Sequence, residues 1–337
     1  MIIMQVSEQK LKKVVFFGSD AISLPALGWL KGMHGISLEF LAVVSQPDRR
    51  QGRGQKVSSN PVAEFAKENG IQLFQPEKPD KELADWMTGQ AIAIGLVMAY
   101  GHFIGRSLRE SFNIGMYNFH GSVLPKYRGA SPVESAIACG EHETGVCLME
   151  VGAQMDSGAV SDIEPVAILK NEDATTLRMK IGQAVVPILE RSFEKLASGE
   201  LTFKAQNDSE ASYCRKLNKI DGLIDFNLSS EAIYNRWRAF KTWPSSYFLL
   251  GDERIKVGSL KMTESQTGGL KSRGIKGAIH IKGDQLFVET KDGLIEFLEL
   301  QKAGGRMLPV ADFLRGHHLD EGMIFSGGAS QPLIRRH

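Results

Sequence analysis

Cysteine is scarce in this 337-residue chain: Cys139, Cys147 and Cys214, with no CxxC pair among them. An odd, scattered set builds neither a disulfide framework nor a zinc site, so a reducing cytoplasm is the expected location. Long hydrophobic runs are also missing, and nothing approaches the roughly 18 apolar residues of a membrane helix. Residues 1–9 contain Glu8 and no cationic start. They predict a short extension before the fold, not a secretory leader. An excess of one charge is absent too. Forty Lys and Arg meet 39 Asp and Glu, a formal net charge of +1, which argues against coating nucleic acid by bulk attraction. What is present is ordinary globular composition, 42% apolar and 23% charged, over a length that suits two domains.

The balance hides an asymmetry. Residues 204–337 carry 20 Lys and Arg against 16 Asp and Glu, whereas residues 1–203 carry 20 against 23. Within the acidic part lies one basic cluster, Arg49, Arg50, Arg53 and Lys56. Its stretch, residues 46–56, lacks apolar periodicity and reads as a loop, and Gly52 and Gly54 free its backbone. A cationic loop of this kind suits an RNA stem, with salt-sensitive binding through a few phosphates.

Lys13–Gly18 and Phe40–Val44 are short apolar runs of the buried-strand type. Further strands are predicted at Ile71–Phe74, Ala91–Ala99, Gly115–Phe119 and Gly145–Val151, with helices at Pro61–Asn69, around Glu82–Met87 and at Thr175–Leu196. The alternation implies an α/β class, a Rossmann-like and mostly parallel sheet over residues 10–203. Its ligands belong beyond the carboxyl ends of the strands. The polar residues 199–212 read as an interdomain linker. A helix at Leu228–Phe240 and five short strands, Ser246–Leu250, Ile255–Met262, Gly277–Ile281, Gln285–Thr290 and Leu294–Glu299, then predict a small OB-like β-barrel over 204–325. Residues 326–337 read as a flexible tail. Trp237 and Trp243 read as packing residues.

The richest stretch is residues 118–129. Asn118 and His120 lie two apart at a strand end and so share a face. An amide N–H stabilises a developing oxyanion, and an imidazole moves a proton. Asp156, in a Gly/Ser turn, suits a carboxylate that holds His120 in one tautomer. The trio contains no nucleophilic Ser or Cys, which points to direct attack by an external amine or water. No His/Cys cluster for a metal is visible.

These residues resemble a known family. Asn118-x-His120-x-Ser122-x-Leu124-Pro125, then Arg128-Gly129-Ala130-x-Pro132, Thr144-Gly145-Val146 and Asp156-x-Gly158, are similar to the formyltransferases that use 10-formyltetrahydrofolate. The similarity extends over about residues 13–318 and is nearest to members acting on methionyl-tRNA, through residues 44–54, Ala99–Gly101, 212–217, 224–226, Arg238–Phe240 and Trp243-Pro244. The resemblance implies that Asn118 and His120 polarise the formyl carbonyl and that Asp156 assists His120. It implies that Ser122, Val123, Leu124, Pro125, Tyr100 and Gly101 border a tetrahydrofolate derivative. It places Arg49, Arg50, Arg53 and Lys56 at an initiator methionyl-tRNA, with Arg53 as the probing residue. A monomer without metal or membrane contact is expected. Two departures from the family pattern stand near the folate: Gly105 where proline is usual, and Val123 within the core motif. Other acceptors on the same fold, an amino sugar nucleotide or water, and a binding module without activity are the competing readings. The intact trio disfavours the last.

Overall fold

The computed structural model describes residues 11–33, 38–51, 56–79, 81–263 and 274–336. Strands and helices alternate through the first part: β1 (Lys12–Gly18), α1 (Leu24–Gly32), β2 (Leu38–Val44), β3 (Arg49–Gln51), β4 (Lys56–Ser58), α2 (Pro61–Glu68), β5 (Gln72–Phe74), α3 (Lys81–Gly89), β6 (Ile94–Met98), α4 (Arg106–Arg109), β7 (Gly115–His120), β8 (Arg128–Gly129), α5 (Pro132–Ala138), β9 (Glu143–Glu150), β10 (Val160–Ala167) and α6 (Ala174–Ser198). Then follow β11 (Ser212–Cys214), α7 (Ser230–Ala239), β12 (Tyr247–Leu250), β13 (Glu253–Met262), β14 (Ile279–Lys282), β15 (Gln285–Glu289), β16 (Leu294–Lys302), β17 (Leu308–Pro309), α8 (Val310–Gly316) and β18 (Ile334–Arg336).

Contacts group residues 1–128, 144–166 and 178–211 into one unit, and residues 129–143, 167–177 and 212–337 into another. In the first, seven strands form one sheet in the order β10-β9-β7-β6-β1-β2-β5. The pairings β5–β2, β2–β1, β1–β6 and β6–β7 are parallel, and β9 runs antiparallel to β7. Val14, Val15, Phe16 and Phe17 of β1 are wholly buried, as a central strand covered on both faces requires. Gly18 ends β1 because a Cβ there would stand 2.8 Å from the Phe16 ring and 2.9 Å from the Met98 carbonyl. The chain winds away from β1 in both directions, so β1 and β6 flank the switch point where such sheets bind ligands.

The second unit curls five antiparallel strands, β12-β13-β16-β15-β14, into a half-barrel, with β17 added on β16. Its core stacks Phe248 on Phe325 at 4.1 Å and on Phe297 at 5.4 Å. α7 is capped by Ser229, whose side chain accepts from the Ala232 N–H.

Five expectations change. Residues 46–56 contain a ribbon, β3 paired with β4; backbone pairing without a core face leaves no apolar pattern. β10 is an additional strand at the sheet edge. Residues 199–212 are tied down, with Lys204 bridged to Val160. The segment read as a tail is also paired: Ser326 exchanges hydrogen bonds with Leu249, and β18 lies antiparallel to β11. Trp237 is a core residue, but Trp243 is 50% exposed.

Candidate active site

Asn118 and His120 stand at the carboxyl end of β7, opposite Met149 and Cys147 of β9. Asn118 is half-buried, and its amide has no hydrogen-bond partner among the described residues. His120 is buried. Its Nε2 lies 2.9 Å from the Tyr127 carbonyl oxygen; a carbonyl only accepts, so Nε2 carries a hydrogen. Nδ1 faces Asp156 Oδ2 at 3.6 Å. The ring is therefore oriented from both sides, and a proton arriving at Nδ1 meets a carboxylate.

Asp156 reaches that position through its backbone. Its φ is +52°, a left-handed conformation that costs an L-residue about 1–2 kcal/mol. Gln206 Nε2 donates to the carbonyls of Asp156, at 2.9 Å, and Gly158, at 2.7 Å. Two such bonds, at about 1 kcal/mol each, are of the size to offset the strain. Gln206 Oε1 in turn accepts from Arg128 Nε at 3.0 Å and Nη2 at 2.8 Å, and Nη2 also reaches Asp208 at 2.7 Å. Arg128 is 1% exposed. Gly158 admits no side chain, since a Cβ would fall 1.9 Å from the Glu150 carbonyl oxygen.

The loop after β7 carries Ser122, Val123, Leu124 and Pro125. Ser122 Oγ donates to the Lys126 carbonyl at 2.6 Å. Beneath it, the Cys147 thiol donates to the Ser122 carbonyl at 3.0 Å and accepts the Leu124 N–H at 3.3 Å. Burial pushes this thiol up to about 12, so it remains a neutral donor. Leu124 packs with Cys147 and Met149, while Val123 and Pro125 are half-buried.

Tyr100 and Gly101 follow β6, at the switch point. The Tyr100 ring meets Phe17 edge-on at 5.5 Å, and burial raises its hydroxyl above the ordinary range. That hydroxyl and His102 Nδ1 are buried without partners among the described residues. Gly101, at φ +76°, allows Gln46 to approach: a Cβ there would stand 2.5 Å from Gln46 Nε2, which donates to the Tyr100 carbonyl at 2.8 Å.

Gln46 also begins the basic ribbon. Asp48 at its base accepts from Gln75, Ser59 and Lys67 at 2.7, 2.9 and 3.2 Å. These bonds, the one from Gln75 foremost, hold its carboxyl below the usual range. Arg49 and Arg50 are exposed, and Arg49 pairs with Glu77 at 2.8 Å. Arg53 and the Lys56 side chain lie outside the described residues.

The structure brings Asp156 to the Nδ1 side of His120, as the sequence suggested; the sequence reading missed Tyr127 on the other side and the supporting Arg128, Cys147 and Gln206. Arg128 stood in the recognised motif without a role, and Gln206 lay in a stretch read as linker. Among the described residues no group of three or more His, Cys, Asp or Glu is placed to hold a metal, and no helix is long and apolar enough to cross a membrane.

Residues 12–191 match the formyl transferase family, and residues 216–318 match the formyl transferase C-terminal domain. The chain is 36% identical to the methionyl-tRNA formyltransferase of Thermus thermophilus over 313 residues, covering 92% of this chain and 98% of that protein. It is 32% identical to that of a Sulfurihydrogenibium species, covering 93% and 99%. Among solved structures, WlaRD, a sugar 3N-formyl transferase crystallised with dTDP and 5-N-formyl-THF, superposes with a TM-score of 0.62 at 19% identity, over 88% of this chain and 99% of that one. The methionyl-tRNA formyltransferase of Clostridium thermocellum gives 0.53 at 14% identity, over 75% and 94%.

Proposed function

The chain belongs to the formyl transferase family and is a transferase, and we propose that it moves the formyl group of 10-formyltetrahydrofolate onto the α-amino group of initiator methionyl-tRNA. The observation that carries this reading is the His120 ring, held between the Tyr127 carbonyl and the Asp156 carboxylate, two residues from an Asn118 amide that is unengaged among the described residues. End-to-end similarity to methionyl-tRNA formyltransferases favours tRNA over other acceptors. In this reading residues 10–203 are the catalytic domain and residues 204–325 bind tRNA, in a cytoplasmic monomer.

The formyl donor is a second substrate. The Tyr100 hydroxyl and His102 Nδ1 beside the strand end, unpaired among the described residues, are what a ligand with polar edges would satisfy. Ser122, Val123, Leu124, Pro125, Tyr100 and Gly101 would border it. The methionyl amine attacks as the free base, which an α-amino pKa of roughly 7.7–8.0 makes available near neutrality. Its nitrogen bonds to the formyl carbon while the carbonyl electron pair moves onto oxygen. The Asn118 amide donates to that oxygen. The proton shed by the amine passes to the His120–Asp156 pair, and is returned to the folate nitrogen as its bond to the formyl carbon breaks. Arg49, Arg50, Arg53 and Lys56 would meet the tRNA backbone.

An assay offering charged initiator tRNA, a UDP-amino sugar and water together as acceptors tests the proposal. Formyl-methionyl-tRNA is the expected product. Transfer to the sugar alone, or release of formate alone, would overturn it.

A further inference from the structure

We infer that Arg128 and Gln206 are positioning residues, a two-part clamp that sets the Asp156 carboxylate against His120. This rests on the proposed chemistry for its activity arm only. One amide of Gln206 spans the turn by donating to two carbonyls, those of Asp156 and Gly158. Its amide orientation is dictated from behind: the Arg128 fork supplies only donors, so Oε1 must face it and Nε2 must face the turn. Asp208 accepts from the same guanidinium, so the buried charge of Arg128 has a counterion as well as hydrogen-bond partners.

Position in the chain gives Arg128 a second hold on the same ring. It directly follows Tyr127, whose carbonyl accepts from His120 Nε2. The backbone of this short segment therefore locates one ring nitrogen, while the Arg128 side chain, through Gln206, locates the carboxylate facing the other. Neither residue is in direct contact with the reacting atoms in this scheme. Their effect reaches the chemistry through Asp156.

Substitutions can separate the parts of the clamp. Gln206→Glu keeps the shape and an oxygen toward Arg128, but places an acceptor against two carbonyls. Gln206→Met removes both sets of bonds at similar volume, and Arg128→Lys keeps the charge without the fork. In all three, turnover is expected to fall about tenfold or more, with KM for the formyl donor and for Met-tRNA changed less than about 2-fold. In an Asp156→Asn background, Gln206→Met should add less than about 2-fold. A full, multiplicative loss in that background would overturn the clamp and mark Gln206 as a general structural residue. An arm independent of activity uses the imidazole NMR signals of His120, assigned by comparison with His120→Ala. They should move in Gln206→Met as they move in Asp156→Asn. Unmoved signals in a folded Gln206→Met protein would overturn the inference whatever the acceptor; wild-type protein inactive on Met-tRNA would instead overturn the functional reading.

Discussion

The thiol of Cys147 and the backbone amide of Leu124 are hydrogen-bonded at 3.3 Å, from a strand to the loop that crosses it. Because that thiol titrates only near 12, it contributes no thiolate at working pH. Alkylation by iodoacetamide requires the thiolate. Native protein at pH 8 is expected to be modified at exposed Cys139 and spared at buried Cys147 and Cys214, as peptide mass spectrometry would read. Cys147→Ala strands the Leu124 N–H at a cost of about 1–3 kcal/mol, visible in urea unfolding. KM for the formyl donor should rise with it. Rapid native labelling of Cys147 would contradict this account.

Asn118→Ala and His120→Ala test the reacting groups. Loss of one oxyanion donor typically slows turnover by a factor of about 100–1,000. Each variant is expected to lose at least about that much while still binding folate and tRNA. Near-normal turnover in either would reject the assignment.

Arg53→Ala, in the sequence between β3 and β4, should weaken formylation of Met-tRNA and leave folate binding nearly intact. Each phosphate contact removed should also flatten the salt dependence of tRNA binding by close to one unit of slope. Parallel losses of folate and tRNA affinity would count against a division of labour between ribbon and pocket.

Arg215 and Asp221 make a pH-dependent contribution to stability. Burial alone would raise the Asp221 carboxyl, but the Arg215 guanidinium, with Nη1 at 2.8 Å, and the Asn218 N–H outweigh it and hold it below 3.8. A carboxyl depressed in the folded state stabilises fully above its unfolded pKa, near 3.9, and loses this as pH falls through the folded value. Arg215→Met is expected to cost roughly 3 kcal/mol at pH 7 and markedly less at pH 2.5. Equal losses at both pH values in urea titrations would exclude this origin.

The strands that position the site were legible because each is an apolar run ended by a turn residue, as in Val14–Phe17 before Gly18. β10 was not, because an edge strand reading Val160–Ala167 carries Asp162, Glu164 and Pro165 and is only partly buried. Asn118, His120 and Asp156 were legible by residue type and spacing. Gln206 was not, because its amide N–H groups reach backbone carbonyls 50 and 48 residues away and its oxygen meets Arg128 78 residues away, which leaves no local signature. The pairing of β18 with β11 escaped for the same reason.

The two contact units are interleaved along the chain. α5 and residues 167–177, which lie in sequence between segments of the first unit, gather with α7, where Arg238 donates to the carbonyls of Leu169 and Glu172. No single splice separates such units. A chimera joined near residue 204 would set one parent's α5 against another parent's α7. Exchange of the second unit between relatives therefore has to carry residues 129–143 and 167–177 along with the C-terminal half. Recombination is limited to crossovers that keep these distant segments together, so the two halves must change in step.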